Sequence, residues 1–143
     1  MTLVHGTCIA LADSGVLLRG PPGSGKSDLA LRLFDLGARL LADDQVCLSK
    51  RAGELWASAP PALAGLLEVR GIGLVRVEPA GETRLRLVVD LLPAERIERL
   101  PEQASCRIDD VELRQCALAA FEASAPQKVR LLVHALDAAI IQR

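Results

Sequence analysis

Apolar positions along the chain fall mostly into short runs divided by turn formers, the pattern of strands, with two longer stretches of helical period. Val4–Leu11 is apolar and suits a strand, Asp13-Ser14-Gly15 predicts a turn, and Val16–Arg19 returns as a second strand, so a hairpin is expected. Ser27–Leu36 predicts a helix stopped by Gly37, with Asp28, Arg32 and Asp35 as a charged ridge on an otherwise buried cylinder. Arg39–Ala42 is an apolar strand that ends in two carboxylates, Asp43 and Asp44. Gln45–Lys50 and Glu54–Ser58 predict a hairpin around Arg51-Ala52-Gly53, with Trp56 as a packing residue. Ala59-Pro60-Pro61 then breaks the chain, and residues 62–66 make at most a helical turn.

In the stretch 67–75, Leu67, Val69, Ile72, Leu74 and Val75 are expected in the core, and Glu68 and Arg70 share the face opposite Val69. Gly71 and Gly73 leave backbone open to close approach. Thr83–Leu91 alternates, with Leu85, Leu87, Val89 and Leu91 on one face, and predicts a half-buried antiparallel strand. Pro93–Leu100 predicts a short polar helical segment carrying Arg96 and Arg99, and Val111–Leu118 predicts one more strand. Ser124-Ala125-Pro126-Gln127 has the form of a capping box. The helix it opens is expected to reach about Gln142 and to bury Val129, Leu132, Val133, Leu136 and Ile140. Arg130, His134 and Asp137 then face solvent. These elements predict an α/β fold, a mixed sheet with flanking helices, in a single domain spanning residues 1–143.

Half of the 143 residues are hydrophobic, but there are only two Phe, one Trp and no Tyr, so Leu, Val, Ala and Ile must build the core. So few aromatics, with a net charge of −1, leave neither stacking surface nor electrostatic footprint for a nucleic acid. Cys8, Cys47, Cys106 and Cys116 are scattered with no C-x-x-C pair and read as free thiols in a reducing compartment. No run has the length of a membrane span, and the N-terminus lacks the pattern of a signal peptide. The expectation is a soluble cytoplasmic protein.

One motif dominates the chemistry. Gly20-Pro21-Pro22-Gly23-Ser24-Gly25-Lys26-Ser27 is a complete G-x-x-x-x-G-K-[ST] phosphate loop, set between the strand Val16–Arg19 and the helix after it. Its glycines let backbone N–H groups converge on phosphate oxygens, Lys26 adds charge at the outer phosphates, and the Ser27 hydroxyl suits Mg²⁺. The helix start aims its positive dipole end at the same anion. Asp43 and Asp44 end a strand where α/β sheets open to their ligands. Alternation sends their side chains different ways, so one suits Mg²⁺ or its water shell and the other suits a proton from an attacking hydroxyl. Glu68 fits a Mg²⁺ ligand or a surface partner of Arg70. A lone strand histidine such as His5 is more often structural than catalytic, and His134 takes no role.

Three blocks together resemble the catalytic domain of the bacterial HPr kinase/phosphorylase family, also called HPr serine kinase. They are His5-Gly6, the loop Gly20–Ser27 followed by Leu40-Leu41-Ala42-Asp43-Asp44, and Leu67-Glu68-Val69-Arg70-Gly71-Ile72-Gly73. The resemblance implies a short form holding only the catalytic, C-terminal-type domain, with a P-loop kinase fold of the phosphoenolpyruvate carboxykinase-like type. It implies ATP and Mg²⁺ as cofactors, pyrophosphate as an alternative donor, and phosphorylation of a serine of HPr, the phosphocarrier of the phosphotransferase system. The family's reverse, phosphorylase reaction and a homohexamer are also implied. By residue, the resemblance makes Lys26 the holder of the outer phosphates, and Ser27, Glu68 and Asp43 the metal ligands. Asp44 becomes the proton acceptor, His5 an active-site histidine and Arg99 an active-site arginine. The chain departs from the family before its last helix, where Ser124-Ala125-Pro126-Gln127-Lys128 replaces an Arg-Pro-Gly-Arg-like loop. Two other readings remain: an ATP-binding sensor that transfers no phosphate, and a small-molecule kinase.

Overall fold

A computed structural model of the chain describes residues 1–137. It contains β1 (Thr2–His5), β2 (Thr7–Leu11), β3 (Ser14–Arg19), α1 (Lys26–Phe34), β4 (Arg39–Ala42), β5 (Gln45–Arg51), β6 (Glu54–Ser58), β7 (Leu66–Val69), β8 (Gly73–Arg76), β9 (Thr83–Leu91), β10 (Ala104–Ile108), β11 (Val111–Leu118) and α2 (Ala125–His134). Nine strands form one curled mixed sheet in the order β1-β5-β6-β9-β3-β2-β4, with β11 and then β10 branching from β9. The β7–β8 hairpin is a separate two-stranded sheet.

The first expected strand is two strands. Gly6 breaks it at a φ of 154°. A Cβ there would lie 2.8 Å from the Leu18 carbonyl oxygen and 2.9 Å from Leu17 Cδ1, so only glycine lets the backbone pass this close to β3. Before the break β1 pairs with β5, whereas after it β2 lies between β3 and β4. The turn also sits earlier than expected. Leu11 pairs with Ser14, and the two loop residues are Ala12 and Asp13, both at positive φ, the geometry that matches strand twist in tight hairpins. Ser14 and Gly15 belong to β3.

β9 is the central strand, not a half-buried antiparallel one. It runs parallel to β3 on one side. On the other side it pairs antiparallel with β6 near its start and parallel with β11 over residues 87–91. The strict alternation fails where Gly15 pairs with Leu85 but Val16 pairs with Leu87, leaving Arg86 as an extra residue. Leu85 and Leu87 therefore enter opposite sides of the sheet. The strand β10 has no counterpart in the expected elements, although its sequence, ASCRI, alternates and lays Cys106 and Ile108 against one core. The expected helix at 93–100 shrinks to a 3₁₀ turn at Ala94–Arg96.

Both faces of the sheet are buried. On one, Leu29, Ala30 and Leu33 of α1 and Ala125, Val129 and Val133 of α2 pack on Ile9, Val16, Leu18, Leu87 and Val89. On the other, the sheet curls so that Val46, Leu48, Leu55 and Ala57 cover Cys8, Leu17, Leu41, Leu85 and Val88. Burial pushes the thiol of Cys8 up to about 12 and that of Cys116 up to about 11, so both stay protonated at neutral pH. All four cysteines are free.

At α2, Ser124 makes no side-chain cap, and its carbonyl instead accepts the Lys128 amide at 2.9 Å. Arg130 and His134 are exposed as expected, and the exposed Asp137 pairs with Arg86. Ile140 and the helix end near Gln142 lie outside the described residues. In the β7–β8 hairpin only Leu67 is fully buried. Ile72 and Leu74 are 78% and 73% exposed, against the expectation that they anchor a core, because this hairpin stands apart from the main sheet. No described helix is long and apolar enough to cross a membrane.

Candidate active site at the phosphate loop

β3 delivers the chain at Arg19, the loop covers residues 20–25, and α1 begins at Lys26. Gly25 is the helix N-cap at a φ of 100°, a left-handed conformation that favours glycine, and it supplies no side-chain cap. Within the loop the Ser24 amide donates to the Pro21 carbonyl at 3.1 Å. No protein acceptor among the described residues takes the first amides of α1, so they remain available to an anion. The Ser24 side chain folds over Gly20, where a Cβ would come within 2.4 Å of its Oγ. That buried hydroxyl has no partner among the described residues. The Lys26 ammonium bridges the carbonyls of Gly20 and Pro21 at 2.6 and 3.1 Å and so lies across the loop's own mouth. The donor set is cationic and rich in N–H groups, as a polyphosphate requires.

Asp43, at the end of β4, is the hub. Its Oδ1 accepts from Ser27 Oγ at 3.0 Å and from the buried Thr7 Oγ1 at 2.8 Å, and its Oδ2 accepts the Glu68 backbone amide at 3.1 Å. These contacts join β2, α1, β4 and β7 at one carboxylate. Asp44 follows at a φ of 72°. That left-handed turn swings its side chain into solvent, while its carbonyl accepts the Gly6 amide at 3.1 Å. His5 and Asp44 are consequently neighbours, with Nδ1 4.0 Å from Oδ1 and side chains 86% and 77% exposed.

The structure thus brings Lys26, Ser27, Asp43, Asp44 and His5 to one end of the sheet. Glu68 is exposed and reaches the cluster through its backbone amide. Among the described residues no three acidic, His or Cys side chains converge as a metal cage. Ser27 and Asp43 nevertheless offer adjacent hard oxygens, the chemistry suited to Mg²⁺, which keeps several of its waters. Arg99 is exposed in the segment that follows β9, the strand parallel to β3, and no hydrogen bond ties it to the loop. Cavities of about 420 and 370 Å³ lie away from this region, and none of these residues lines them.

Three participants were not apparent from the sequence. Thr7 holds Asp43 from within β2, a contact between residues 36 apart that no local pattern announces. Arg19, at the mouth of the loop, makes a bidentate pair with Asp90 of β9 at 2.8 and 3.1 Å, and Gln115 also donates to Asp90. Burial opposes ionisation of Asp90, but the Arg19 and Gln115 hydrogen bonds outweigh it and hold the carboxyl below its usual range. The segment 119–122 packs on Gly25, with Ala120 and Phe121 at the position a Cβ would take.

The sequence matches the model of the HPr Serine kinase C-terminal domain over residues 1–133. The chain belongs to this family. HPr kinase/phosphorylase of Bordetella pertussis is 44% identical over 113 residues, covering 71% of this chain and 37% of that protein. HPr kinase/phosphorylase of Clostridium tetani is 42% identical over 76 residues, covering 53% of this chain and 25% of that protein. This chain therefore spans well under half the length of these relatives. The solved structure of the Hpr(Ser) kinase/phosphatase from Coxiella burnetii superposes with a TM-score of 0.83 over 94% of this chain and 95% of that one, at 23% identity, which shows a shared fold.

Proposed function

We propose that this HPr kinase family member is an ATP- and Mg²⁺-dependent protein serine kinase that acts on HPr or an HPr-like phosphocarrier. The observation that carries the reading is the division between two adjacent carboxylates. Asp43 is bonded to the phosphate-loop hydroxyl of Ser27, and Asp44 stands free in solvent beside His5. A site that only bound nucleotide would have no use for the second pair. The exposed stretch Gly71–Gly73 suits an open docking surface, which favours a protein acceptor over a small molecule.

In this reading the loop amides and Lys26 hold the triphosphate, and Lys26 leaves the Gly20 and Pro21 carbonyls to do so. Ser27 and Asp43, with Glu68, hold the metal. Mg²⁺, when bound, supplies positive charge to the phosphoryl oxygens. The acceptor serine's Oγ attacks the γ-phosphorus as the bond to the β–γ bridging oxygen breaks, and ADP leaves. The hydroxyl proton passes to the Asp44 carboxylate, which His5 orients, and Arg99 is assigned to the phosphoryl oxygens. In the phosphorylase direction inorganic phosphate takes the place of ADP: its oxygen attacks the phosphoserine phosphorus, the bond to the serine oxygen breaks, pyrophosphate leaves, and Asp44 returns its proton to the departing serine oxygen. Pyrophosphate fits the loop as a second donor. A single phosphoenolpyruvate carboxykinase-like domain, cytoplasmic residence and a homohexamer complete the reading. The exposed Ile72 and Leu74 are its candidate contact residues.

The test combines binding and transfer. Lys26→Ala is expected to abolish ATP binding. Asp44→Asn is expected to leave binding within about threefold while transfer falls by about 10²-fold or more. Equal loss of both by Asp44→Asn would contradict the role given to that residue.

A further inference from the structure

Phe121 is 70% exposed in a chain with two Phe and no Tyr, while the other phenylalanine, Phe34, packs against the core. It lies between β11 and α2. Because β11 and β3 both run parallel to β9, this segment leaves the sheet at the same end as the phosphate loop. Its ring rests on the loop itself: a Cβ on Gly25 would meet Phe121 Cζ at 3.0 Å and Cε1 at 3.2 Å. The backbone beneath the ring is pinned. Arg32 of α1 donates to the carbonyls of Ala120 and Glu122, the Glu122 amide donates to the Ala119 carbonyl at 3.2 Å, and Lys128 pairs with Glu122 at 2.9 Å. An aromatic ring fixed at its base, with its surface in water, flanks the N-cap where the phosphate-binding amides begin.

We propose that Phe121 is the platform on which the nucleobase of the phosphoryl donor stacks, so that the site distinguishes nucleoside triphosphates from bare polyphosphates. The proposal rests on the reading of Gly20–Ser27 as a triphosphate site and names the remainder of the ligand. A triphosphate seated on the amides at Gly25 and Lys26 carries its ribose and base outward past the helix N-cap, where the ring lies. Stacking uses the π face of a base and not its hydrogen-bonding edge, so the platform separates nucleotide from polyphosphate without choosing among bases. A lost stacking contact of this kind lowers affinity by about 5- to 150-fold.

The experiment is calorimetric titration of the whole chain with ATP and with tripolyphosphate, each with Mg²⁺, for wild type, Phe121→Ala and Phe121→Trp. Phe121→Ala is expected to weaken ATP by about tenfold and to leave tripolyphosphate within twofold, which also shows that the loop is intact. Phe121→Trp is expected to restore ATP affinity, with indole fluorescence quenched by ATP and not by tripolyphosphate. Unchanged ATP affinity in Phe121→Ala, or equal weakening of both ligands, overturns the proposal. So does a variant that loses only HPr binding, which would make the ring a protein contact. Failure of the wild type to bind either ligand overturns the phosphate-loop reading, and the stacking platform with it.

Discussion

Asp43 accepts from Thr7, Ser27 and the Glu68 amide, whereas Asp44, one residue on, is turned to solvent by a left-handed backbone. Their substitutions should therefore separate. Asp43→Ala leaves the buried Thr7 hydroxyl unpaired and releases β7, so it should cost stability, about 1–3 kcal/mol in chemical unfolding, as well as metal-dependent binding. Asp44→Ala should leave the unfolding midpoint almost unchanged. The sequence showed that two carboxylates end a strand beside a phosphate loop, and alternation said that they diverge. Their division of labour depends on the positive φ of Asp44 and on Thr7, and neither is written in local pattern. His5 is the converse case: as a lone strand histidine it carried no role of its own, only the one the resemblance implied, and the bend at Gly6 and the pairing of His5 with Gln45 set it beside Asp44.

Among the elements, β3–loop–α1 was legible to within two residues, because a phosphate loop demands a strand before it and a helix after it. The β9 neighbourhood was not. Its alternation of Leu with Arg and Asp resembles a solvated strand, yet Asp90 is paired with Arg19 and hydrogen-bonded by Gln115, and the bulge at Arg86 divides its leucines between two cores. The ion pair carries a pH signature. Asp90 ionises below its ordinary value of 3.8, so the folded state binds fewer protons there than the unfolded state. The stability it contributes is fully present above that value and is lost as pH falls through the folded one. Thermal melts of Asp90→Asn against wild type should differ most near neutral pH and converge below about pH 4. A gap that persists undiminished at pH 3 would show that packing, not charge, holds this pair. Gly6 is a second element-level test. Gly6→Ala drives a methyl into the Leu18 carbonyl and should lower stability by about 1–3 kcal/mol. Gly71→Ala meets open space and should cost less, since only its φ of 87° is strained.

Across the whole molecule the α/β class was readable from strand-length runs around two amphipathic helices, and the low aromatic content correctly foretold an aliphatic core. The curl of the sheet was not readable. It depends on the glycine break at residue 6 and on β9 sharing one edge between β6 and β11, both of which join residues far apart in sequence. That curl is what sets β1 against β5 and so carries His5 to the loop after β4. Phosphoryl transfer to a protein serine is the role we propose for this one end of the sheet. The most direct measurement is transfer of the γ-phosphate from labelled ATP with Mg²⁺ to purified HPr, by wild type and by Asp44→Asn, with ATP affinity measured for both. Label is expected on an HPr serine with the wild type, with a loss of about 10²-fold or more in the variant and similar ATP affinity for the two. Undiminished transfer by the variant, or ATP binding by the wild type without any transfer to HPr, would contradict the proposed role.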